Sequence, residues 1–250
     1  MTNLSGARVL LTGASSGLGR ACALAMAARG ARLTLTGRDE ERLAETAEAV
    51  GGDLLVADLA SAASTQALVE ALGERPVPDV VVHNAGAGLV GAAEDVDLGD
   101  WERLLAVNVC APLGLTAALL PGMRARGSGH LVFVTSVAAH LGVPEEAAYS
   151  ATKAALAGYA AGLRAELAGT DLVVTTFAPG VVDTDFFTRR GAPYERRVPR
   201  LMPPGRVAAR LVRAVEADRD EVVVPSWMRL PIALRAVAPG AYWSLSRRWA

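Results

Sequence analysis

Only two cysteines occur among the 250 residues, Cys22 and Cys110, and they show neither a CxxC pattern nor metal-ligand spacing. A zinc site or a dithiol redox centre is therefore not expected, and no metal is. Each cysteine sits in an apolar helical stretch, where a small buried thiol is the expectation. Neither sign of charge is in excess: 25 basic residues stand against 26 acidic ones, for a net charge of −1. That balance gives no support for bulk electrostatic capture of nucleic acid. The opening residues Met1-Thr2-Asn3-Leu4-Ser5-Gly6 lack the basic region and apolar run of a secretory signal. No stretch is expected to reach the ~18 uncharged apolar residues of a membrane-spanning helix. The expectation from these absences is a reduced, cytoplasmic setting.

What is present is a globular composition, 52% hydrophobic and 20% charged, on a chain long enough to bury a full core as one α/β domain. Short apolar runs at 8–12, 32–36, 53–57, 80–83, 131–135, 173–178 and 221–224 predict strands. Stretches with helical periodicity lie between most of them, at 20–29, 40–50, 64–72, 101–126 and 149–167. Strand–helix alternation predicts right-handed βαβ crossovers and a parallel sheet, and continuously apolar strands predict helices on both faces. No repeat and no linker divides the chain. Two segments break the rhythm. Residues 185–204 carry four prolines, five arginines and three aromatics, and residues 225–250 have a composition of their own.

The first strand runs into Thr12-Gly13-Ala14-Ser15-Ser16-Gly17-Leu18-Gly19 and then an Ala-rich helix. Glycines let the backbone turn tightly and approach a pyrophosphate, and the helix N-terminus offers its N–H groups and dipole to the phosphates. At this place in a βαβ unit the motif predicts dinucleotide binding. Its spacing, TGxxxGxG, resembles the signature of the short-chain dehydrogenase/reductase family. The second strand ends in Gly37-Arg38, where an NAD enzyme usually carries an acidic residue for the ribose 2′-OH. Arg38 can instead grip a 2′-phosphate, with Ser15 and Arg20 assisting, so NADPH is expected rather than NADH. The other reading of Arg38 is a solvated loop residue or a partner of Asp39 or Glu41. Asp58, with Leu59 beside it, resembles the family's adenine contact; the alternative is a residue of a helix N-cap region.

Tyr149-Ser150-Ala151-Thr152-Lys153 places a phenol and an ammonium one helical turn apart. A nearby cation lowers a phenol's pKa, and such a phenol can give a proton to a carbonyl oxygen or take one from an alcohol. Ser136 closes the fifth apolar run, thirteen residues before Tyr149, which matches the family's serine–tyrosine interval. Asn108 falls mid-helix among apolar neighbours and needs partners; it reads as the family's helix-bending, water-holding asparagine or as a satisfied core amide. His83-Asn84-Ala85-Gly86 resembles the family's NNAG, with His83 in a structural role. Pro179-Gly180-Val181-Val182-Asp183-Thr184 resembles the segment flanking the nicotinamide, where Val182 backbone groups and the Thr184 hydroxyl bind the carboxamide.

The resemblance spans residues 6 to about 225. It implies a single-domain doubly wound α/β Rossmann fold over 1–250, with a seven-stranded parallel sheet in the order 3-2-1-4-5-6-7. It implies an NADP-dependent oxidoreductase interconverting a carbonyl and an alcohol, with Tyr149 transferring the proton and Lys153 binding the nicotinamide ribose. Ser136 positions the substrate oxygen and Asn108 anchors the proton relay. The cofactor set it implies is Gly13, Ser15, Ser16, Gly17, Leu18, Gly19, Arg38, Asp58, Leu59, Asn84, Ala85, Gly86, Tyr149, Lys153, Pro179, Gly180, Val182 and Thr184. Other readings of the same fold are a non-catalytic NADP-binding sensor or assembly protein, and an epimerase or imine reductase.

Residues 185–204 then form the substrate lid. Phe186, Phe187 and Tyr194, with Leu89, Val90, Val137, Leu141 and Val143, are candidates for an apolar pocket that suits a lipophilic carbonyl compound. Arg189, Arg190, Arg196, Arg197 and Arg200 read as solvated lid residues before anion readers. His140, Glu145 and Glu146 receive no catalytic role. The extension at 225–250 carries Trp227, Trp243 and Trp249 with Arg229, Arg235, Arg247 and Arg248, a stripe of Leu230, Leu234 and Val237, and no acidic side chain. Subunit packing comes first for it, then packing on its own domain, then peripheral membrane contact. By resemblance, a homodimer or homotetramer pairs through the two long helices.

Overall fold

A computed structural model describes residues 1–195 and 198–246. The elements run β1 (Arg8–Thr12), α1 (Gly17–Ala27), β2 (Arg32–Gly37), α2 (Glu40–Val50), β3 (Asp53–Val56), α3 (Ala62–Gly73) and β4 (Val80–His83). They continue with α4 (Leu98–Leu105), α5 (Ala111–Arg126), β5 (Gly129–Val134), α6 (Ala138–Leu141), α7 (Ala147–Glu166) and β6 (Leu172–Pro179). The last are α8 (Phe186–Arg189), α9 (Pro204–Glu216), β7 (Glu221–Val224), α10 (Arg229–Val237) and α11 (Pro239–Ser246).

The seven strands form one sheet in the order β3-β2-β1-β4-β5-β6-β7, every pair parallel, as the strand–helix alternation predicts. The apolar runs bury both faces of the central strands. One core joins Val9, Leu11, Val80 and Val82 to α1, α2 and α9. The opposite core joins Leu10, Val81, Leu131 and Phe133 to α3, α5 and α7. Burial of each such side chain contributes about 1.5–3 kcal/mol. Local chemistry sets the helix ends. The Asp39 and Ser61 side chains accept N–H bonds from Arg42 and Ser64 at the starts of α2 and α3. Gly51 and Gly127 close α2 and α5 with left-handed backbones. Because all strands are parallel, the ends of β1, β4, β5 and β6 meet at one edge, and the motifs named above all leave from it.

The boundaries of β1, β4, β7 and α2 coincide with the sequence reading, and others differ by up to three residues, as β5 beginning at Gly129 and α7 at Ala147 show. Two expectations are overturned. Cys110 is exposed, whereas Cys22 is buried with its thiol pushed up to about 12 by burial. Cys110 ends the π-helical turn Ala106–Cys110 that joins α4 to α5, two residues past buried Asn108 and so on the far side of the helix from it. The continuous helix Leu98–Arg126 is also long and apolar enough to cross a membrane, with a mean hydropathy of 1.8. Asn108 and Thr116 interrupt its apolar composition without adding charge. Leu115, Leu119 and Met123 on this helix pack into the core against β4 and β5.

Candidate active site

At the cofactor end, the glycines are dictated by close approach. Gly13 has φ +68°, and a Cβ there would lie 2.7 Å from Ala85 Cα. A Cβ on Gly19 would lie 1.9 Å from Gly13 O. Asn84 braces this loop: its Nδ2 donates to Thr12 O at 3.0 Å and Gly13 O at 3.2 Å. Thr12 Oγ1 in turn accepts from Asn84 N and Ala85 N, both at 3.0 Å. The Asn84 side chain therefore supports the phosphate loop rather than facing a ligand. The first backbone bond of α1 runs from Arg20 N to Ser16 O. The N–H groups of Gly17, Leu18 and Gly19 thus have no acceptor within the helix, a ready anion site.

Ser15 and Arg38 line the cleft beside this loop, with Leu59 and Asp58 further along; Arg20 does not line it. Among the described residues Arg38 makes no ion pair, and Asp39 pairs with Arg42 instead. Asp58 acts locally as the alternative reading has it, with Oδ1 accepting from Ala60 N at 3.0 Å, and it also borders the cleft. On the opposite wall, Pro179, Gly180, Val182 and Thr184 follow β6. Thr184 Oγ1 donates to Val182 O at 3.4 Å, and its methyl carbon faces Gly17. Cavity, orphan N–H donors and an unpaired guanidinium together fit a phosphorylated dinucleotide.

Four side chains close the inner end. Ser136 closely follows β5; its Oγ accepts from Ala138 N at 3.1 Å, and its hydroxyl lies near enough to the Tyr149 phenol to lower that group's pKa. Lys153, the only lysine in the chain, lies one turn along α7 from Tyr149. Its Nζ donates to Val134 O at 3.0 Å and sits 5.9 Å from the Tyr149 ring centroid. Asn108 Oδ1 accepts from Ala87 N, and its Nδ2 donates to Ala87 O and to Thr152 Oγ1, each at 2.9 Å. That is the satisfied core amide, placed at the centre of the π-helical turn that bends the helix.

The electrostatics depart from the expectation of an acidified phenol. Burial raises the Tyr149 pKa; the Ser136 hydrogen bond lowers it, Glu146 raises it and Arg190 lowers it. Burial also brings the Lys153 ammonium down to about 8. The cation that was expected to acidify the phenol is itself destabilised by the same apolar surroundings. His83 is buried and neutral, pushed down to about 3 by burial, stacked 4.9 Å from Phe133 and bonded to Thr116 Oγ1 at 3.0 Å.

The substrate side belongs to one cleft of about 1180 Å³ that is continuous with the cofactor side. Phe186 sits over Gly88, where a Cβ would lie 2.6 Å from its ring, and its own ring lies 5.6 Å from that of Tyr149. Phe187, Tyr194, Val90, Val137, Leu141 and Val143 also line the cleft, whereas Leu89 does not. One lid arginine is not solvated, and a second, Arg189, is exposed but hydrogen-bonded. Arg190 is 7% exposed, ion-paired with Glu146 and stacked 4.7 Å over Phe187. Arg189 donates to Ser16 Oγ at 3.2 Å. Arg200 is exposed, and Arg196 and Arg197 lie outside the described residues.

The extension packs on its own domain. Tyr242 Oη donates to Leu141 O at 2.9 Å, Arg235 donates to His140 O, and Tyr242 and Trp243 border the cleft. These contacts are those of the second reading, packing on its own domain; exposed Trp227, Leu230 and Val237 lie on the same extension. Arg247, Arg248 and Trp249 lie outside the described residues. Sequence reasoning missed Glu146, Arg42 and Tyr242 as residues of the cleft. Only Glu146 had a local signal, its place one turn before Tyr149.

A family model for short chain dehydrogenases matches residues 7–195. The chain is similar to dehydrogenase/reductase SDR family member 7B of Danio rerio, 33% identical over 260 residues that cover 96% of this chain and 84% of that one. It is similar to ketoacyl reductase HetN of Nostoc sp., 34% identical with coverage of 96% and 88%. Among solved structures, a short-chain dehydrogenase from Sphingobium yanoikuyae in complex with NADPH superposes with a TM-score of 0.83 at 28% identity, covering 96% of this chain and 95% of that one. A short-chain dehydrogenase/reductase from Burkholderia phymatum in complex with NAD gives 0.85 at 25% identity, covering 94% and 95%. The likeness reaches as far as a nicotinamide dinucleotide of either kind. A family match that runs from the first strand into the lid, over the whole edge where the motifs meet, leaves one assignment: the chain belongs to the short-chain dehydrogenase/reductase family of oxidoreductases.

Proposed function

We propose that the protein is an NADPH-dependent reductase of a lipophilic ketone or aldehyde, running in reverse as an alcohol dehydrogenase. The observation that carries this is that Ser136, Tyr149 and Lys153 line one cleft that joins the glycine loop to an aromatic lid. When bound, the dinucleotide supplies the hydride. Gly17–Gly19 backbone donors and Arg38 hold its phosphates. Ser136 and Tyr149 together direct two hydroxyls at one substrate oxygen. In reduction the Tyr149 O–H bond breaks as a new O–H bond forms on that oxygen; in oxidation the phenolate takes the proton back. Burial keeps the phenol protonated in the free protein, the form that serves reduction. Lys153 supplies the positive charge that steadies the phenolate afterwards. Phe186, Phe187 and Val143 exclude water and favour apolar substituents. The outward faces of α4–α5 and α7, which include exposed Leu105 and Cys110, serve as the surface for pairing copies of the chain.

The test is oxidation of NADPH across a panel of aryl and alkyl ketones, for wild type and Tyr149→Phe. The variant is expected to lose turnover by about 10²–10⁴-fold, the range for removal of a general acid, with its dinucleotide affinity retained. Turnover that survives intact ends the assignment of Tyr149 as proton donor.

A further inference from the structure

The adjacent arginines at the end of α8, Arg189 and its C-cap Arg190, are about 100° apart around the helix axis and reach different partners. Arg190 points inward to Glu146 and Phe187. Arg189 points the other way, to the start of α1. Its Nη1 lies 3.2 Å from Ser16 Oγ and 3.9 Å from Asp185 Oδ2. Ser16 is the N-cap residue of α1, yet its side chain makes no capping bond there. A third charged group completes the cluster: Arg42 Nη1 lies 3.4 Å from the same Asp185 oxygen. Arg42 Nε lies 3.7 Å from Asp39 Oδ2 as well, so the charges of this cluster balance, and Arg189 is held beside the start of α1, where the N–H groups of Gly17, Leu18 and Gly19 have no acceptor within the helix.

We propose that Arg189 is a pyrophosphate-binding residue: the lid grips the dinucleotide from the face opposite the α1 N-terminus. The inference rests on the dinucleotide reading above and adds a residue that the glycine loop does not supply. Arg42 holds Asp185 back, so the carboxylate does not repel the incoming phosphates. Arg189 exchanges its single hydroxyl contact for a charge-assisted bond to phosphate. The same short helix carries Phe186 and leads into Arg190.

Binding rather than turnover tests this. Wild type, Arg189→Met and Arg189→Lys are titrated calorimetrically with 2′-phospho-ADP-ribose, which contains the pyrophosphate, and with adenosine 2′-phosphate, which does not. Arg189→Met is expected to bind the first roughly 10-fold more weakly, an effect moderated by solvent at this half-exposed position, and the second within about twofold. Arg189→Lys recovers part of the loss, as a point charge does at a forked site. Equal affinity of Arg189→Met and wild type for 2′-phospho-ADP-ribose overturns the clamp, and so does an equal loss for both ligands. A wild type that binds neither ligand overturns the dinucleotide reading itself, and the clamp with it.

Discussion

Asn108 brackets the backbone of Ala87, taking its N–H and giving to its C=O at 2.9 Å each. The third bond, to Thr152 Oγ1, ties the same amide to α7, because Thr152 lies between Tyr149 and Lys153 and donates to Tyr149 O at 2.9 Å. One buried side chain thus fixes the loop after β4 against the catalytic helix. A Cβ on neighbouring Gly86 would lie 3.2 Å from Lys153 Nζ, so slack in this loop reaches the lysine.

Replacing Asn108 with Leu strands three buried polar groups and is expected to cost about 3 kcal/mol of stability. The loss is read as a lower denaturant midpoint at unchanged slope. Turnover falls as well, even at temperatures where the variant is fully folded, because Lys153 is no longer held. A variant with wild-type midpoint and turnover contradicts the bracket.

Lys153 is the only side-chain amine in the chain, which makes its state directly measurable. Its pKa is brought down to about 8 by burial, so the neutral, nucleophilic amine predominates above that pH. An amine-acylating reagent is expected to modify Lys153 with a rate midpoint near pH 8, followed by peptide mass mapping to separate it from the Met1 amine. Prior addition of NADPH slows the modification. A midpoint near the ordinary lysine value of about 10.4 contradicts the buried, destabilised ammonium.

Local chemistry explains what the sequence made legible. Strands showed as uncovered apolar runs such as 80–83, and the glycine loop showed because backbone approach forbids a Cβ at Gly13 and Gly19. The pair Tyr149–Lys153 showed because one helix sets its spacing. What stayed hidden depends on segments far apart in the chain. Arg190 meets Glu146 across 44 residues, and Tyr242 reaches Leu141 across 101; neither leaves a periodic trace. The raised acidity threshold of Tyr149 was hidden for a related reason. A lysine one turn away is visible in sequence, but the burial that raises the phenol's pKa comes from tertiary packing.

On the function proposed above, Arg38 governs the choice between the two dinucleotides. Among the described residues it makes no ion pair, and it borders the cleft next to Ser15, whose Oγ lies 3.2 Å from where a Gly37 Cβ would be. Arg38→Asp removes the phosphate partner and adds a repelling charge. Its dissociation constant for NADPH is expected to rise about 100-fold, in line with loss of a charged hydrogen bond plus like-charge repulsion, while that for NADH changes severalfold at most. Equal losses for both cofactors would falsify the assignment of Arg38 to a 2′-phosphate.

Two buried histidines set the acid limit of the fold. His83 is brought down to about 3, and His130 to about 4, chiefly by burial, with Asp218 opposing the shift at His130. His130 is bonded on both ring nitrogens, to Thr2 Oγ1 at 2.9 Å and Thr175 Oγ1 at 2.7 Å. In the unfolded chain both titrate near 6.5. Between that value and the folded ones, the unfolded state binds more protons, so stability falls as pH falls from about 6.5. At pH 5 the loss is on the order of 2 kcal/mol for each histidine. Thermal midpoints measured from pH 7.5 to pH 5 should therefore drop progressively below pH 6.5. His83→Asn, which keeps a polar partner for Thr116 and cannot be protonated, removes about half of that dependence. A variant whose midpoint falls with pH as steeply as wild type would show that His83 titrates freely in the folded protein, against its full burial beside Phe133.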